Sequence, residues 1–363
     1  MSSYNKRITY FGVIKSISSW SKVARELLSS LIELGIDINI YQKKGFLYDE
    51  NFNLGALEKY ISPEFSKDII FTFEHPKNYI YLPDCALKIG FLVYEFTSLP
   101  DLWVENINKY LDMVIVPSLF SYNVFIDSGI SKEKIRILRY GINPKYYFYR
   151  NNKNEALSFL TIASPQKREA LDIALESFYK AYSDVADVKL TVKLSYNIKY
   201  SKPFEIRDFN GLISDYKQRL ANRLEIIANP LSEQEMGELY RKSDLYFSLS
   251  KAESFGLCFL EAIACGKPVV SLNYGGTKDF LTSHNAYFIS HKISQTNGEE
   301  YEISKKRQFI AIPYMESAVR VLKEIYQGKN LKKPSLEKPL EYYYWENIAK
   351  DFIEIIKNYE KGL

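Results

Sequence analysis

SKAESFGLCFLEAIACGKPVVSLNYGGTKDFL, residues 250–281, is the stretch whose reading decides the fold. An apolar run from Asp244 to Leu249 leads into it as a strand that ends near Ser250. The polar turn Glu253-Ser254-Phe255 follows, then a helical run from Gly256 to Ala264, then a strand from Pro268 to Leu272. Strand, tight turn, helix and strand in that order form the unit of a parallel α/β sheet. The unsatisfied N–H groups of the helix's first turn, aided by the helix dipole, make an anion site. Gly256 lets a phosphate approach the backbone. Glu261, a turn and a half further on, can accept two hydrogen bonds from a ribose diol. Gly275-Gly276 supplies a second bare loop. Taken without their neighbours, Glu253 is equally a charge at a helix start and Glu261 an exposed helix residue.

The same grammar extends in both directions. Ile8 to Val13 reads as a strand, and Val23, Leu27, Leu28, Leu31 and Leu34 recur at helical spacing until Gly35 stops the helix; Asp37 to Tyr41 is the next strand. Ile89 to Val93, Met113 to Val116 and Ile135 to Leu138 are short apolar runs of the kind buried on both faces of a parallel sheet. The polar patch Arg150 to Glu155 interrupts the pattern. The cycle then restarts with strands at Phe159–Ala163, Leu190–Leu194 and Leu224–Ile227. Helices run from Ala170 to Tyr182 and from Ser232 to Arg241, the latter with Ser232 and Glu235 in capping-box spacing. The expectation is an α/β protein of two doubly wound, Rossmann-like domains with ligands in the cleft between them. The predicted boundaries are 1–150 for the first domain and 151–340 for the second. A C-terminal helix at 341–363, centred on Tyr344 to Tyr359, is expected to pack back on the first domain.

Composition fits this reading and excludes others. A chain of 363 residues with 46% hydrophobic and 25% charged residues is globular and long enough for two cores. The net charge of +4 is too small for a dedicated nucleic-acid binder. No uninterrupted apolar stretch is long enough for a membrane helix. Three scattered cysteines and three histidines give neither a disulfide framework nor a metal-ligand cluster, and a cytoplasmic setting is expected. Cys258 and Cys265 read as small packing residues.

The 250–281 stretch resembles the Glu-x7-Glu motif of the large retaining glycosyltransferase family called family 4, the glycosyl transferases group 1, whose fold is GT-B. The flanking Ser243-Asp244, Gly266-Lys-Pro-Val-Val270 and Gly275-Gly276 match as well. The resemblance implies that the second domain holds the nucleotide-sugar donor and the first the acceptor. It implies that Glu261 binds the nucleotide ribose and that Glu253 contacts the transferred sugar at the reacting centre. The amides of Ser254, Phe255, Gly256 and Leu257 would hold the diphosphate. Residues 18–25 stand where the family has a glycine-rich loop, with Ser19 and Ser21 in place of glycines, and Ser19 is taken as donor-binding. His75, in Phe73-Glu-His-Pro76, resembles the family histidine near the transferred sugar, and it reads equally as a plain loop residue. Residues 94–103 and 116–129 and Tyr140-Gly-Ile-Asn143 resemble structural or acceptor-side loops, with Glu95 a candidate acceptor contact or a solvated charge.

The family places an Arg, and a Lys before a Gly, after the second domain's first strand. Here that loop is Ser164-Pro-Gln-Lys-Arg-Glu-Ala170, with Glu169-Ala170 in place of Lys-Gly. Lys167, Arg168 or Lys193 must then supply the positive charge that a leaving diphosphate needs. No Asp-x-Asp occurs, so no metal and no cofactor is expected. The expected activity is a hexosyltransferase-type transfer, with retention and without a metal, from a UDP-, GDP- or ADP-sugar. The acceptor is a carbohydrate, a lipid-linked molecule or a protein. The alternatives are a nucleotide-sugar-binding protein of the same fold without transfer, and a related epimerase. Basic and aromatic residues interleave from Ser131 to Lys153, which suggests a peripheral contact with the inner membrane face or a lipid-linked acceptor; solvated charges over a packed hinge are the alternative.

Overall fold

The computed structural model describes residues 4–45, 47–151, 154–195, 205–296, 298, 307–328 and 331–362. The first sheet is built from β1 (Ile8–Gly12), β2 (Ile38–Gln42), β3 (Ile69–Thr72), β4 (Leu87–Phe91), β5 (Met113–Val116) and β6 (Ile135–Ile137). Its strands are parallel, in the order β2-β1-β3-β4-β5-β6. Apolar side chains fill both faces, as the continuous runs of Ile, Val and Phe require. α1 (Ser19–Glu33) is the predicted amphipathic helix, with Val23, Ala24, Leu27, Leu28 and Leu31 buried, and the Ser18 side chain caps it by accepting from Ser21 N. The stretches 94–103 and 116–129, expected as loops, hold the start of α2 (Asp101–Tyr110) and all of α3 (Leu119–Ser128). Pro100 before α2, the Ser118 cap on α3 and left-handed Gly129 at its end were the signals for them.

The second sheet comprises β7 (Leu157–Ala163), β8 (Val188–Leu194), β9 (Leu224–Ile227), β10 (Leu245–Phe247), β11 (Val269–Leu272) and β12 (Ala286–Ile289). Its order is β9-β8-β7-β10-β11-β12, again parallel. α4 (Leu171–Tyr182), α5 (Phe209–Leu220), α6 (Glu233–Lys242) and α7 (Leu257–Ala264) connect its strands, and α6 carries the capping box between Ser232 and Glu235. An antiparallel hairpin of β13 (His291–Gln295) and β14 (Phe309–Pro313), which the strand pattern had not indicated, follows β12; α8 (Met315–Gln327) follows it and packs on α4.

Strand order reverses between β1 and β3 in one sheet and between β7 and β10 in the other, and crevices for ligands open at such points beyond the carboxyl ends of the strands. The loops after β1, β3, β7 and β10 therefore decide what the protein can bind. α9 (Trp345–Glu360) returns to the first sheet, packs along α1, and sets Phe352 edge-on against Phe71 at 5.4 Å between ring centroids.

Most of the basic and aromatic segment 131–149 is used inside the molecule. Lys134 donates to the carbonyls of Asn108 and Leu111, Arg139 pairs with Asp351 and stacks on Tyr342, and Tyr140 and Tyr147 are buried. Arg150 pairs with Glu238, and Lys153 lies outside the described residues. Among the described residues, no helix is long and apolar enough to cross a membrane.

Because Phe352 is fully buried between α9 and β3, Phe352→Ala should cost about 3–5 kcal/mol, the usual loss for a large aromatic in a packed core. Urea unfolding followed by circular dichroism measures it. A change under about 1 kcal/mol would mean that α9 is not part of the first domain's core.

Candidate active site

The loop after β10 is held from several sides. Arg168, in the loop after β7, donates through Nη1 to Ala252 O at 2.7 Å and lies 3.3 Å from Ser250 Oγ and 3.4 Å from Glu253 Oε1. Gly276 N donates to Glu253 O at 2.7 Å. From the first sheet, Ser118 Oγ donates to Ser254 O at 2.6 Å, and the hydroxyls of Ser121 and Ser254 are 2.7 Å apart. Phe255 is buried against Tyr140 and Phe280, at 5.2 and 5.3 Å between ring centroids. The cleft is thus closed over this loop. Gly256 sits at φ +88°, where a Cβ would come within 2.5 Å of Thr277 Cγ2, so glycine is required both by conformation and by space. Leu257 begins α7 directly behind it.

Glu253 projects into the crevice with its side chain 24% exposed. Glu95 reaches the same place from the first sheet. Burial raises its pKa and the Glu253 charge raises it further, while the Arg168 guanidinium opposes the shift. Glu95 is thus half-buried, with the charges of Arg168 and Glu253 near enough to act on it. Glu169 accepts from Ser164 N and Ser164 Oγ at 2.7 and 2.6 Å and lies 3.4 Å from Arg168; burial raises its pKa, against Arg168 and the Ser164 bonds. Ala170, standing where the family has glycine, has φ +51°, the left-handed backbone that explains a glycine preference. One guanidinium thus serves three carboxylates, and its hydrogen bonds are directed at the protein itself.

Glu261 is buried in α7. Its partners come from elsewhere in the chain. Lys22 Nζ, from the first turn of α1, lies 2.6 Å from Glu261 Oε1 and 2.6 Å from Glu233 Oε2. Tyr240 OH donates to Glu261 Oε2 at 2.9 Å, and Tyr147 OH accepts from Lys22 and donates to Glu233 at 2.6 Å. Burial pushes the Glu261 carboxyl up, with Lys22 opposing. Burial also works against ionising Glu233, yet Lys22 holds that carboxyl below its ordinary value. Burial would lower the Lys22 ammonium, and Glu261, Tyr147 and Glu233 together raise it. Lys22, Glu233 and Tyr240 were not singled out in the sequence, and Tyr147 only as one of the aromatics interleaved in the basic segment 131–153. Lys22 lay inside the 18–25 loop, and its spacing from Ser18 was the available signal.

The other expected residues are more scattered. Ser19 is the exposed first residue of α1, while Ser18 makes the cap. His75 caps the short turn after β3, accepts from Lys77 N through Nδ1 at 3.2 Å and meets Trp103 edge-on at 4.8 Å. Lys193 is buried, and its ammonium donates to the carbonyl of Leu194 in its own strand; burial lowers its pKa. Lys167 lies half-buried beside Arg168 in the single turn Lys167–Glu169.

Residues 214–301 match the family model described as glycosyl transferases group 1. A probable sucrose-phosphate synthase of Thermosipho melanesiensis is 23% identical over 246 residues, which are 66% of this chain and 51% of that relative; the chain thus spans about half of that protein's length. Sucrose-phosphate synthase from Thermosynechococcus elongatus superposes with a TM-score of 0.69 at 12% identity, covering 99% of this chain and 100% of the other. Anabaena HepE, in complex with UDP and glucose, superposes at 0.65 and 12% identity, covering 98% and 100%. The architecture is GT-B, two Rossmann-like domains facing each other across a cleft.

Gly276 provides a test of the loop's packing. A Cβ there would lie 1.9 Å from Ser254 O, a backbone atom that cannot rotate away. Gly276→Ala should lower stability by about 1–3 kcal/mol or more, as overpacking does. It should weaken nucleoside-diphosphate binding in parallel, because the 253–256 loop must shift. Paired urea unfolding and calorimetric titration check this, and wild-type values in both would show that the loop tolerates displacement.

Proposed function

We propose, from the premise that this chain belongs by its residues 214–301 to the glycosyl transferases group 1, that it transfers a sugar from a nucleoside-diphosphate sugar to an acceptor bound on the first domain. The observation that carries this reading is the buried Glu261 behind the glycine-started α7, with Glu253 half-buried at the start of the same loop. In this reading the ribose diol donates to Glu261, the N–H groups of residues 254–257 face the diphosphate, and Glu253 and Glu95 flank the transferred sugar. Arg168 acts chiefly on the loop, fixing Ala252 and Glu253 so that the amides are pre-aimed. HepE was solved with UDP, which makes UDP the first donor base to try.

Ligand in about 100-fold excess over Kd should stabilise the protein by about 2.7 kcal/mol. A thermal-shift screen of UDP, GDP and ADP reads this out. Glu261→Ala should then weaken binding of the responding nucleotide by about 1.5–3 kcal/mol, the worth of a hydrogen bond to a charged group. Unchanged affinity in a folded Glu261→Ala variant would remove the ribose assignment.

Retention and metal independence belong to the same proposal. Among the described residues, no group of three or more His, Cys, Asp and Glu is arranged to hold a metal ion. The reading gives the leaving diphosphate to the helix N-terminus and protein cations, with the departing phosphate oxygen taking the acceptor's proton. Turnover should therefore survive EDTA, and loss restored by manganese or magnesium would overturn that part. One observation favours a second reading, donor binding without transfer: Glu169 puts a carboxylate where a cation is expected. Release of free sugar or transfer to an acceptor from a labelled donor separates the two.

A further inference from the structure

The proposed chemistry needs positive charge next to the donor's diphosphate, for which the loop after β7 brings Lys167, half-buried beside Arg168, while the other expected cations are engaged or replaced. Glu169 stands at the position of the expected lysine, Arg168 spends its hydrogen bonds on Ala252 and its neighbours, and Lys193 donates within its own strand. The ammonium closest to the nucleotide carboxylate belongs to the other domain. Lys22 leaves the first turn of α1, crosses the closed cleft and lies 2.6 Å from both Glu261 and Glu233. We infer that Lys22 is a donor-binding residue, carried in by the first domain, whose ammonium pairs with the diphosphate once the ribose diol takes over the Glu261 carboxylate. The inference rests on the ribose role of Glu261 proposed above.

Charge and reach support it. Two carboxylates and one ammonium leave this buried cluster net negative, and a nucleoside diphosphate brings further negative charge. Binding is favourable only if the ammonium stays and turns towards the phosphates. Glu261 is the fifth residue of α7, so it lies about 6 Å along the axis from the helix start, at 1.5 Å per residue. A lysine ammonium resting on Glu261 can swing over that distance without moving its Cα. The ribose hydroxyls donate to Glu261, replacing the hydrogen bond that Lys22 gives up, and the phosphates then compete with Glu233 for the ammonium. The strong upward shift of the Lys22 pKa keeps it charged throughout the neutral range. The fixed α1 entry, with Ser18 Oγ accepting from Ser21 N and Ser21 Oγ donating to Val13 O at 2.7 Å, keeps the lysine aimed across the cleft. A cation delivered this way is present only when the domains close, which couples closure to occupation by a diphosphate.

The test compares a nucleoside diphosphate with its nucleoside, because only the former has phosphates for Lys22 to meet. UDP and uridine are titrated into wild type, Lys22→Gln, Lys22→Arg, Glu233→Gln and Glu261→Ala; GDP or ADP with its nucleoside replaces them if the screen favours that base. The expected result is that Lys22→Gln cuts the preference for UDP over uridine at least tenfold and Lys22→Arg largely restores it. Glu233→Gln removes the competing carboxylate and should tighten UDP about threefold while leaving uridine unchanged. Equal losses for UDP and uridine in Lys22→Gln would overturn the inference, since Lys22 would then only position Glu261. Tighter UDP binding in Lys22→Gln would also overturn it. Should Lys22→Gln fail to fold by its melting curve, Glu233→Gln decides alone: unchanged or weaker UDP binding overturns the inference. Glu261→Ala should weaken UDP and uridine alike. If it leaves both unchanged, the ribose assignment falls, whereas a wild-type UDP preference in Lys22→Gln beside a weakened Glu261→Ala removes only the role of Lys22.

Discussion

The backbone of residues 252–256 is the constraint on which the rest of the cleft depends. Its carbonyls are taken in turn by Arg168 at Ala252, by Gly276 at Glu253 and by Ser118 at Ser254. Those partners come from the loop after β7, the loop after β11 and the start of α3. Three separate parts of the chain thus fix one short loop, and the loop in turn fixes where α7 begins. Buried carbonyls without such partners would cost about as much as a lost hydrogen bond each, so moving this loop means disturbing both sheets together.

The charge arrangement follows from that geometry. Glu253 and Glu169 flank Arg168, whose charge also acts on Glu95, and Glu261 and Glu233 flank Lys22. Each cation is buried among more carboxylates than it can neutralise. Removing either would leave uncompensated charge in a desolvated setting, the costly case for a buried ion pair. The two clusters differ in what their cations hold. Arg168 is tied to backbone and belongs to the scaffold. Lys22 is tied to side chains that a nucleotide can replace.

The hairpin of β13 and β14 gives the closed cleft a further fastening. Gln308 Nε2 donates to Tyr94 OH and to Ser98 O, and Phe309 N donates to Thr97 Oγ1. The hairpin belongs to the second half of the chain by connectivity, yet it holds the loop that carries Glu95. Together with Asp279, which accepts from Leu119 N at 2.8 Å, it shows that closure is made by ordinary polar contacts spread along the cleft.

Local pattern determined the two sheets apart from the edge strand β12, which it did not indicate. Met113–Val116 and Leu224–Ile227 are strands with the boundaries read from the sequence, and the Ser232–Glu235 box does cap α6, because hydrophobic period and capping chemistry act over a few neighbouring residues. The loop-helix segment at 253–261 was legible for the same reason, as was the glycine at 256. What local pattern left out is what depends on distant partners. The start of α2 and the whole of α3 fall in stretches that read as loops, because these helices complete their apolar faces with Trp103, Ile107 and Phe125 against residues far away in the chain. The strand β14 and Gln308 before it bond to the other domain, and neither β13 nor β14 showed a readable alternation. Glu95 could not be told from a solvated charge until Arg168 and Glu253 came to face it. Lys22 and Glu261 are 239 positions apart in the sequence. Nothing within either segment encodes their meeting, which exists only because two sheets close on one another, and burial there turns a surface-type lysine and a helix glutamate into a single charged unit.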